Sequence, residues 1–104
     1  MIFAYYKEKI MIKHIVCFKL KDKNNINEAK ELLLSMNGKV PMMRDIFVGC
    51  DVLHSQRSYD IILEVLLDDM KDLDEYQNDP YHAGVVKAYL VNACESMIAL
   101  DCEI

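Results

Sequence analysis

Four stretches of the chain carry the β-branched, aliphatic and aromatic residues that are typical of strands. The first, residues 12–20, is apolar at both alternating positions, which predicts a strand in the middle of a sheet. Residues 44–52, 59–67 and 96–104 have the same character. Because only the short polar segment 53–58 separates the second stretch from the third, we expect these two strands to pair as a hairpin.

Helical spacing appears between the predicted strands. After the first strand, apolar residues recur three or four positions apart, at Ile26, Ala29, Leu32, Leu33 and Met36. Asn25 is placed to cap this helix, and Gly38 supplies a left-handed residue that ends it. After the third strand, a short helix opens at residues 68–69, and a longer one starts at Pro80 and ends near Ala93.

The order strand, helix, strand, strand, helix, strand is the split βαβ arrangement of a ferredoxin-like α+β domain. It predicts a four-stranded antiparallel sheet with helices on one face. The other face is left bare, although the first, third and fourth strands are apolar on both sides. A second sheet is the natural cover, so we expect a homodimer that packs through its sheet faces.

Composition and charge limit the possible partners. With 104 residues, 53% of them hydrophobic, the chain is expected to form one domain. The net charge of -5 argues against a nucleic-acid backbone or an anionic membrane surface as the main partner. No stretch approaches the length of a membrane span. We interpret residues 1–10 as an N-terminal extension that docks on the domain or lies loosely against it, and residues 11–104 as the domain.

The four cysteines are well separated, form no CxxC pair and lie in apolar stretches. We therefore interpret Cys17, Cys50, Cys94 and Cys102 as buried free thiols of a reduced, cytoplasmic protein. No HExxH motif or close acidic cluster indicates a metal site, and three glycines form no phosphate-binding loop. We expect neither a metal nor a cofactor.

The segment 76–82 sets a phenol, Tyr76, and an imidazole, His82, on either side of a helix boundary. Asp79 can cap the new helix with its carboxylate, and Pro80 suits its first position. His82 would then lie among free N–H groups at the positive end of the helix dipole. This position favours a neutral imidazole that can accept a proton.

Spacings of four, seven and eleven residues put His82 on the same helix face as Val86, Tyr89 and Ala93, so we expect it to point inward. An inward histidine can act as a general base, with Tyr76 donating a hydrogen bond to a developing enolate oxygen. It can equally help to bind a ligand without reaction. The third interpretation is a buried histidine that serves the fold alone.

Two other histidines differ in their surroundings. His14 begins the first strand, alternates with Val16 and Phe18, and is placed to line the same pocket. A histidine at a strand end is nevertheless more often a satisfied polar residue than a ligand contact. His54 lies in a polar loop and is expected to be solvated. No motif supports a metal site formed by His14, His82 and a carboxylate.

Four parts of the chain together resemble the stress-responsive A/B barrel (Dabb) family: residues 13–20, 49–51, 76–82 and 98–101. The resemblance runs from about Met11 to the C-terminus. It implies a ferredoxin-like protomer and a dimeric α/β barrel, the arrangement already expected from the bare sheet face. Most members of that family have no known biochemical role.

An enzymatic branch of the family resembles plant polyketide cyclases, in which a tyrosine and a histidine act on a poly-β-keto substrate. The resemblance matches these residues to Tyr76 and His82, and a further histidine to His14. Family members commonly read His-Pro-x-His where this chain has Asp79 in place of the first histidine. This departure weakens any transfer of substrate identity.

Three functions therefore remain open at the level of sequence. The first is a small dimeric protein that binds a small hydrophobic or aromatic ligand in a pocket of His14, Tyr76, His82, Val86 and Tyr89. The second is a cofactor-independent cyclase or lyase with His82 as general base and Tyr76 as its partner. The third is a structural interaction module that binds no ligand.

Overall fold

A four-stranded antiparallel sheet forms the centre of the computed structural model, which describes residues 10–104. Its strands are β1 (Ile12–Leu20), β2 (Asp45–Cys50), β3 (Ile61–Leu67) and β4 (Cys94–Glu103). Their order in the sheet is β2-β3-β1-β4, and β2 and β3 pair as the predicted hairpin. The predicted extension over residues 1–10 lies outside the described residues, except for Ile10.

The helices connect the strands and cover one face of the sheet. They are α1 (Ile26–Leu34), α2 (Met70–Asn78) and α3 (Ala88–Ala93). A 3-10 turn, Lys23–Asn25, precedes α1, and a π-helical segment, His82–Lys87, runs directly into α3. Along β3 every second residue is buried, and the residues between them are half-buried. This alternation gives one helix-covered face and one bare face, and it confirms the ferredoxin-like α+β fold.

The entry to α1 differs from the sequence expectation. The side chain of Asn25 makes no capping hydrogen bond. Instead, the Asp22 carboxylate caps the 3-10 turn by accepting a hydrogen bond from the Asn24 N–H at 2.9 Å. The extra turn moves the cap three residues towards the N-terminus. At the other end, Gly38 takes the predicted left-handed conformation, with φ at 83°. The helix itself, however, ends earlier than expected, at Leu34, four residues before Gly38.

A buried carboxylate fixes the end of β1 beside the start of β3. Asp60 accepts hydrogen bonds from the Leu20 N–H and the Lys23 ammonium group, both at 2.7 Å. Its own N–H donates to the Phe18 carbonyl at 2.8 Å. Burial alone would raise the pKa of Asp60, but the hydrogen bonds from Lys23 and Leu20 outweigh it and hold the pKa below its ordinary value. The ionised carboxylate is therefore part of the fold.

The bare face of the sheet carries exposed apolar side chains. Ile15 of β1 pairs with Leu100 of β4 on one side and with Glu64 of β3 on the other. Glu64 pairs in turn with Phe47 of β2, so all four side chains lie on the bare face. The exposed fractions are 55% for Phe47, 53% for Ile98 and 61% for Leu100. Isolated apolar residues are common on protein surfaces, but a patch that spans four strands indicates a surface that another element covers.

The four cysteines differ in their exposure to solvent. Cys94 is buried, whereas Cys17 and Cys102 are half-buried and Cys50 is exposed. The register pairs Cys17 with Ile98 and Cys102 with residue 13, so both thiols lie on the bare face. All four cysteines are free, but the expectation of burial is wrong for three of them. An apolar stretch of sequence does not reveal which strand face a given residue occupies.

Candidate functional site

A cavity of about 200 Å³ lies between the helix-covered side of the sheet and the helical stretch that follows Pro80. Much of its wall is apolar and comes from β1, β3, α1, the π-helical segment and α3: Val16, Phe18, Leu33, Leu63, Val86 and Leu90. The β4 strand closes one side with Met97, Ile98 and Ala99. Its polar lining residues are His14, Tyr76, Gln77, His82 and Lys87.

Three rings from three elements meet at this cavity. The centroid of the Tyr76 ring lies 4.2 Å from that of His82, with the planes 34° apart. The His14 ring meets Tyr76 edge-on at a centroid distance of 5.3 Å and an angle of 61°. The structure thus brings together three residues that the sequence singled out separately. Both imidazoles are buried, with 5% of His14 and 8% of His82 exposed.

His14 is oriented by a carboxylate on the neighbouring strand. The β1–β4 register places His14 opposite Asp101, and its Nδ1 lies 2.5 Å from Asp101 Oδ1. Since a carboxylate accepts hydrogen bonds, Nδ1 of His14 carries the proton that is donated to Asp101. Sequence reasoning missed Asp101, which closes a stretch that matches the family but carries no motif of its own. Only the strand register joins these two residues, 87 positions apart.

His82 is positioned by the cap of its helix. The Asp79 carboxylate accepts hydrogen bonds from the N–H groups of Tyr81 and His82, at 2.9 and 3.0 Å, which confirms the predicted cap. Nδ1 of His82 is buried and has no hydrogen-bond partner among residues 10–104. A buried polar atom without a partner is uncommon and costs free energy.

The pKa of His82 is lowered, mainly because burial disfavours the imidazolium. A hydrogen bond with the Gln77 backbone acts in the opposite direction, as does the charge of Asp79. The charges of His14 and Lys87 lower the pKa further. His82 is therefore neutral at pH 7 and able to accept a proton, as the sequence predicted, although burial is the leading cause.

Tyr76 is more deeply buried than the two imidazoles. Its side chain has no exposed surface, and its hydroxyl lies 4.0 Å from the Met36 sulfur, a weak acceptor. Burial raises the pKa of Tyr76, and the charges of Asp101 and Asp79 raise it further, so the phenol keeps its proton. In this arrangement, the ring of Tyr76 supports His82, and its hydroxyl points to the core residue Met36.

The π-helical segment shifts the helix face that lines the cavity. A π-helix closes its hydrogen bonds five residues apart, so it inserts extra residues into a turn. The buried residues along this stretch are His82, Val86 and Leu90, and Leu90 lines the cavity where Tyr89 was expected. Tyr89 is half-buried and packs against the core beside Glu28. The placement of Tyr89 in the pocket is therefore wrong, because the prediction assumed a regular α-helix.

Two further residues at the cavity were not anticipated. Lys87 is exposed and Gln77 is half-buried, and both belong to its lining. His54 lies away from it, with 69% of its side chain exposed and its Nδ1 3.6 Å from Asp51. No group of three His, Cys, Asp or Glu residues within 10–104 has the geometry to hold a metal ion. Within the same range, no helix has the length and apolar character needed to cross a membrane.

Comparisons with known proteins agree with this architecture. The family model of the stress responsive A/B barrel domain matches residues 12–104. A stress-response A/B barrel domain-containing protein of Arabidopsis thaliana is 26% identical over 94 residues, which are 88% of this chain and 36% of that protein. The chain therefore spans about a third of the length of this relative.

Solved structures share the fold, and two of them illustrate the range of relatives. A dimeric protein of unknown function with a ferredoxin-like fold from Bacteroides fragilis is 29% identical, with a TM-score of 0.77 over 90% of this chain and 96% of that chain. A hydroxynitrile lyase from Passiflora edulis is 18% identical, with a TM-score of 0.78 over 90% of this chain and 93% of that chain. From its family match over residues 12–104, this chain belongs to the stress responsive A/B barrel (Dabb) domain family.

Proposed function

We propose that this chain binds a small hydrophobic or aromatic molecule in the cavity between its sheet and its helices. The observation that carries the proposal is an apolar cavity into which His14 and His82 converge, with a buried nitrogen of His82 left unpaired among residues 10–104. Binding pockets typically combine apolar walls with a few polar groups that orient the ligand.

The size of the cavity limits the ligand. An engineered apolar cavity of about 150 Å³ holds benzene, so about 200 Å³ accommodates one aromatic ring with a small substituent or an aliphatic chain of similar volume. A long poly-β-keto chain would extend beyond the cavity. The volume therefore favours a compact ligand.

A direct test is titration of the protein with single-ring aromatic compounds, followed by NMR and calorimetry. Ala99 lines the cavity from the exposed strand β4, so Ala99→Phe should fill it and reduce affinity without disturbing the buried core. Val91→Phe is the matched control, since Val91 is exposed on α3 and does not line the cavity. If no compound bound, the structural interaction module would be the better description.

The bare sheet face is the proposed dimer interface. Its exposed apolar residues Phe47, Ile98 and Leu100 need a cover, and the Bacteroides fragilis relative with the same fold is dimeric. A second copy of the chain offers a face of the same shape and character, as an isologous interface requires. The cavity lies mainly on the opposite, helix-covered side, and the two surfaces meet at Ile98 of the edge strand β4.

A second candidate is a cofactor-independent lyase or cyclase. It is favoured by the neutral His82 beside an imidazole that Asp101 orients, and by the hydroxynitrile lyase that shares the fold. In this mechanism, His82 removes a proton from the carbon next to a carbonyl group and holds it on the imidazole, while the electron pair of the broken C–H bond passes to the carbonyl oxygen and forms an enolate. General-base help of this kind is worth about 10²- to 10⁴-fold in rate.

Turnover of a β-keto substrate separates the two candidates. An enzyme should lose about 10²- to 10⁴-fold in kcat in His82→Gln, well beyond any change in ligand affinity. Asp101→Asn, which disturbs the tautomer of His14, should also lower kcat. A wild-type protein that binds the substrate and leaves it unchanged would remove the catalytic candidate and keep the binding one.

A further inference from the structure

The wall that β4 contributes is the exposed apolar side of the cavity. Met97, Ile98 and Ala99 are all exposed, whereas the apolar lining residues from the other elements are buried or half-buried. Successive residues of a strand point to opposite faces, so a cavity that borders three in a row meets the strand at its edge. One edge of β4 pairs with β1, and within residues 10–104 no strand pairs with the other. The mouth of the cavity therefore lies at this free edge.

The middle of β4 lacks the features that usually protect an edge strand. Such strands commonly carry a charged residue, a proline or a bulge, which prevents pairing with other chains. Residues 97–100 are all apolar, and the nearest charged residues are Glu95 and Asp101. The irregular pairing of β4 with β1 lies before Met97, between Cys94 and Ser96. An exposed apolar edge of this kind indicates that another polypeptide covers it.

Ile98 joins this edge to the bare face of the sheet. It pairs with Cys17 and precedes Leu100 by two residues, so its side chain belongs to the bare face. Met97 and Ala99 border the mouth from the other side of the strand. A chain that covers the bare face as far as Ile98 therefore reaches the mouth of the cavity.

The charges of the bare face suit a second copy of the same chain. The strand register places four charged residues on this face: Lys13, Lys19, Asp45 and Glu64. Their formal charges sum to zero, and Lys13 Nζ lies 3.3 Å from Glu64 Oε1. Two identical faces without net charge do not repel each other, as an isologous interface requires.

We propose that a second copy of this chain closes the mouth of the cavity, so that dimerisation and ligand binding strengthen each other. This inference rests on the proposed binding function and the proposed interface, and it adds that the two are coupled. In a single protomer, a ligand at the mouth leaves part of its apolar surface in water beside Met97. The partner buries this surface and so increases affinity. By linkage, bound ligand then stabilises the dimer.

The first test needs no ligand. Phe47→Glu places a charge on the bare face at β2, outside the cavity lining, and should produce a monomer; Leu100→Glu is the second variant for this purpose. In the monomer, a soluble nitroxide should broaden the NMR signal of the Met97 methyl group, whereas the wild-type dimer should protect it. Met70 is 62% exposed on α2 and outside the lining, so its signal should broaden equally in both.

The second test measures the coupling with benzyl alcohol as the probe, by calorimetric titration. Covering about 50 Å² of apolar surface corresponds to roughly a tenfold gain in affinity, so the Phe47→Glu monomer should bind roughly tenfold more weakly than the wild-type dimer. Because each protomer has a site, saturating benzyl alcohol should lower the dimer dissociation constant by the square of this factor, about hundredfold. Val91→Glu, exposed on α3 and outside the lining, should match the wild type.

The outcomes separate this inference from the binding function. Equal affinity of monomer and dimer for benzyl alcohol would overturn the coupling and leave the binding function standing. A Met97 methyl group that is already protected in the monomer would show that the chain covers its own cavity mouth, and would overturn the role of the partner. Failure of benzyl alcohol and every other single-ring compound to bind would overturn the binding function, while the Met97 signal would still decide whether the partner closes the mouth.

Discussion

The imidazole of His82 lies over the phenol ring of Tyr76, with the ring centroids 4.2 Å apart. Tyr76 belongs to α2, and His82 begins the π-helical segment after Pro80, so the contact joins the two helices across their break. The Asp79 cap fixes the backbone at this break. The Tyr76 ring therefore holds His82 at the cavity, and the same residues serve both the fold and the site.

The ring of Tyr76 should matter more for stability than its hydroxyl. Tyr76→Phe keeps the contact with His82 and loses only the weak contact with Met36, so the free energy of unfolding should fall by less than about 1 kcal/mol. Tyr76→Ala leaves a cavity in the core and should cost about 3–5 kcal/mol. Urea unfolding measures both values. A large loss in Tyr76→Phe would show that the hydroxyl has an important partner in the native state.

His82 should make the protein less stable as the pH falls below 7. Because the folded state lowers the pKa of His82 from its ordinary value of 6.5, the unfolded chain binds more protons between the two pKa values. Stability is therefore highest above pH 6.5 and decreases as the pH falls towards the folded-state pKa. Urea unfolding across this pH range should show a weaker dependence in His82→Gln. His54→Gln, at an exposed position, should behave like the wild type.

Asp60 should stabilise the fold only while it is ionised. Its folded-state pKa lies below 3.8, so its contribution is complete above the unfolded pKa and is lost as the pH falls through the folded one. At pH 7, Asp60→Asn should cost about 1–3 kcal/mol, because it weakens buried hydrogen bonds to Leu20 and Lys23.

The difference between wild type and Asp60→Asn should shrink as the pH is lowered from about 5 to about 2. Asp74→Asn changes an exposed carboxylate on α2 and is the matched control, with an expected effect within about 0.5 kcal/mol. A stability difference that stayed constant over this acid range would contradict the assigned ionisation of Asp60.

The sheet face should hold two copies of the chain together. Leu100→Glu places a charge among exposed apolar residues of the bare face and should convert a dimer into a monomer at micromolar concentration. Val91→Glu, at a similarly exposed position on the helical side, should leave the dimer intact. Analytical ultracentrifugation distinguishes the two outcomes. A wild-type monomer at the same concentration would contradict the proposed interface.

Much of the fold was predictable because its signals are local. Each of three signals depends only on residues close to it in the sequence: the apolar run of β1, the left-handed Gly38 and the Asp79–Pro80 helix start. The hairpin of β2 and β3 follows from a short polar connection. The candidate site was predictable in part: His14, Tyr76, His82 and Val86 share one cavity.

The remaining features depend on contacts between distant parts of the chain. The pairing of His14 with Asp101 requires the β1–β4 register, and the contact of Tyr76 with Met36 requires the packing of α2 on the residues after α1. The π-helical segment replaces Tyr89 by Leu90 at the cavity, a shift that apolar periodicity cannot reveal.

The sequence by itself determined the order of strands and helices, the ferredoxin-like class and the position of His82 at a helix start, because backbone preferences and apolar spacing act over short distances. The tertiary structure decided which groups meet at the cavity. In the folded chain, the Tyr76 hydroxyl faces Met36, Asp101 pairs with His14, and Lys87 belongs to the lining of the cavity. The physical reason is that strand register and helix packing, which no local signal encodes, set the distances between side chains.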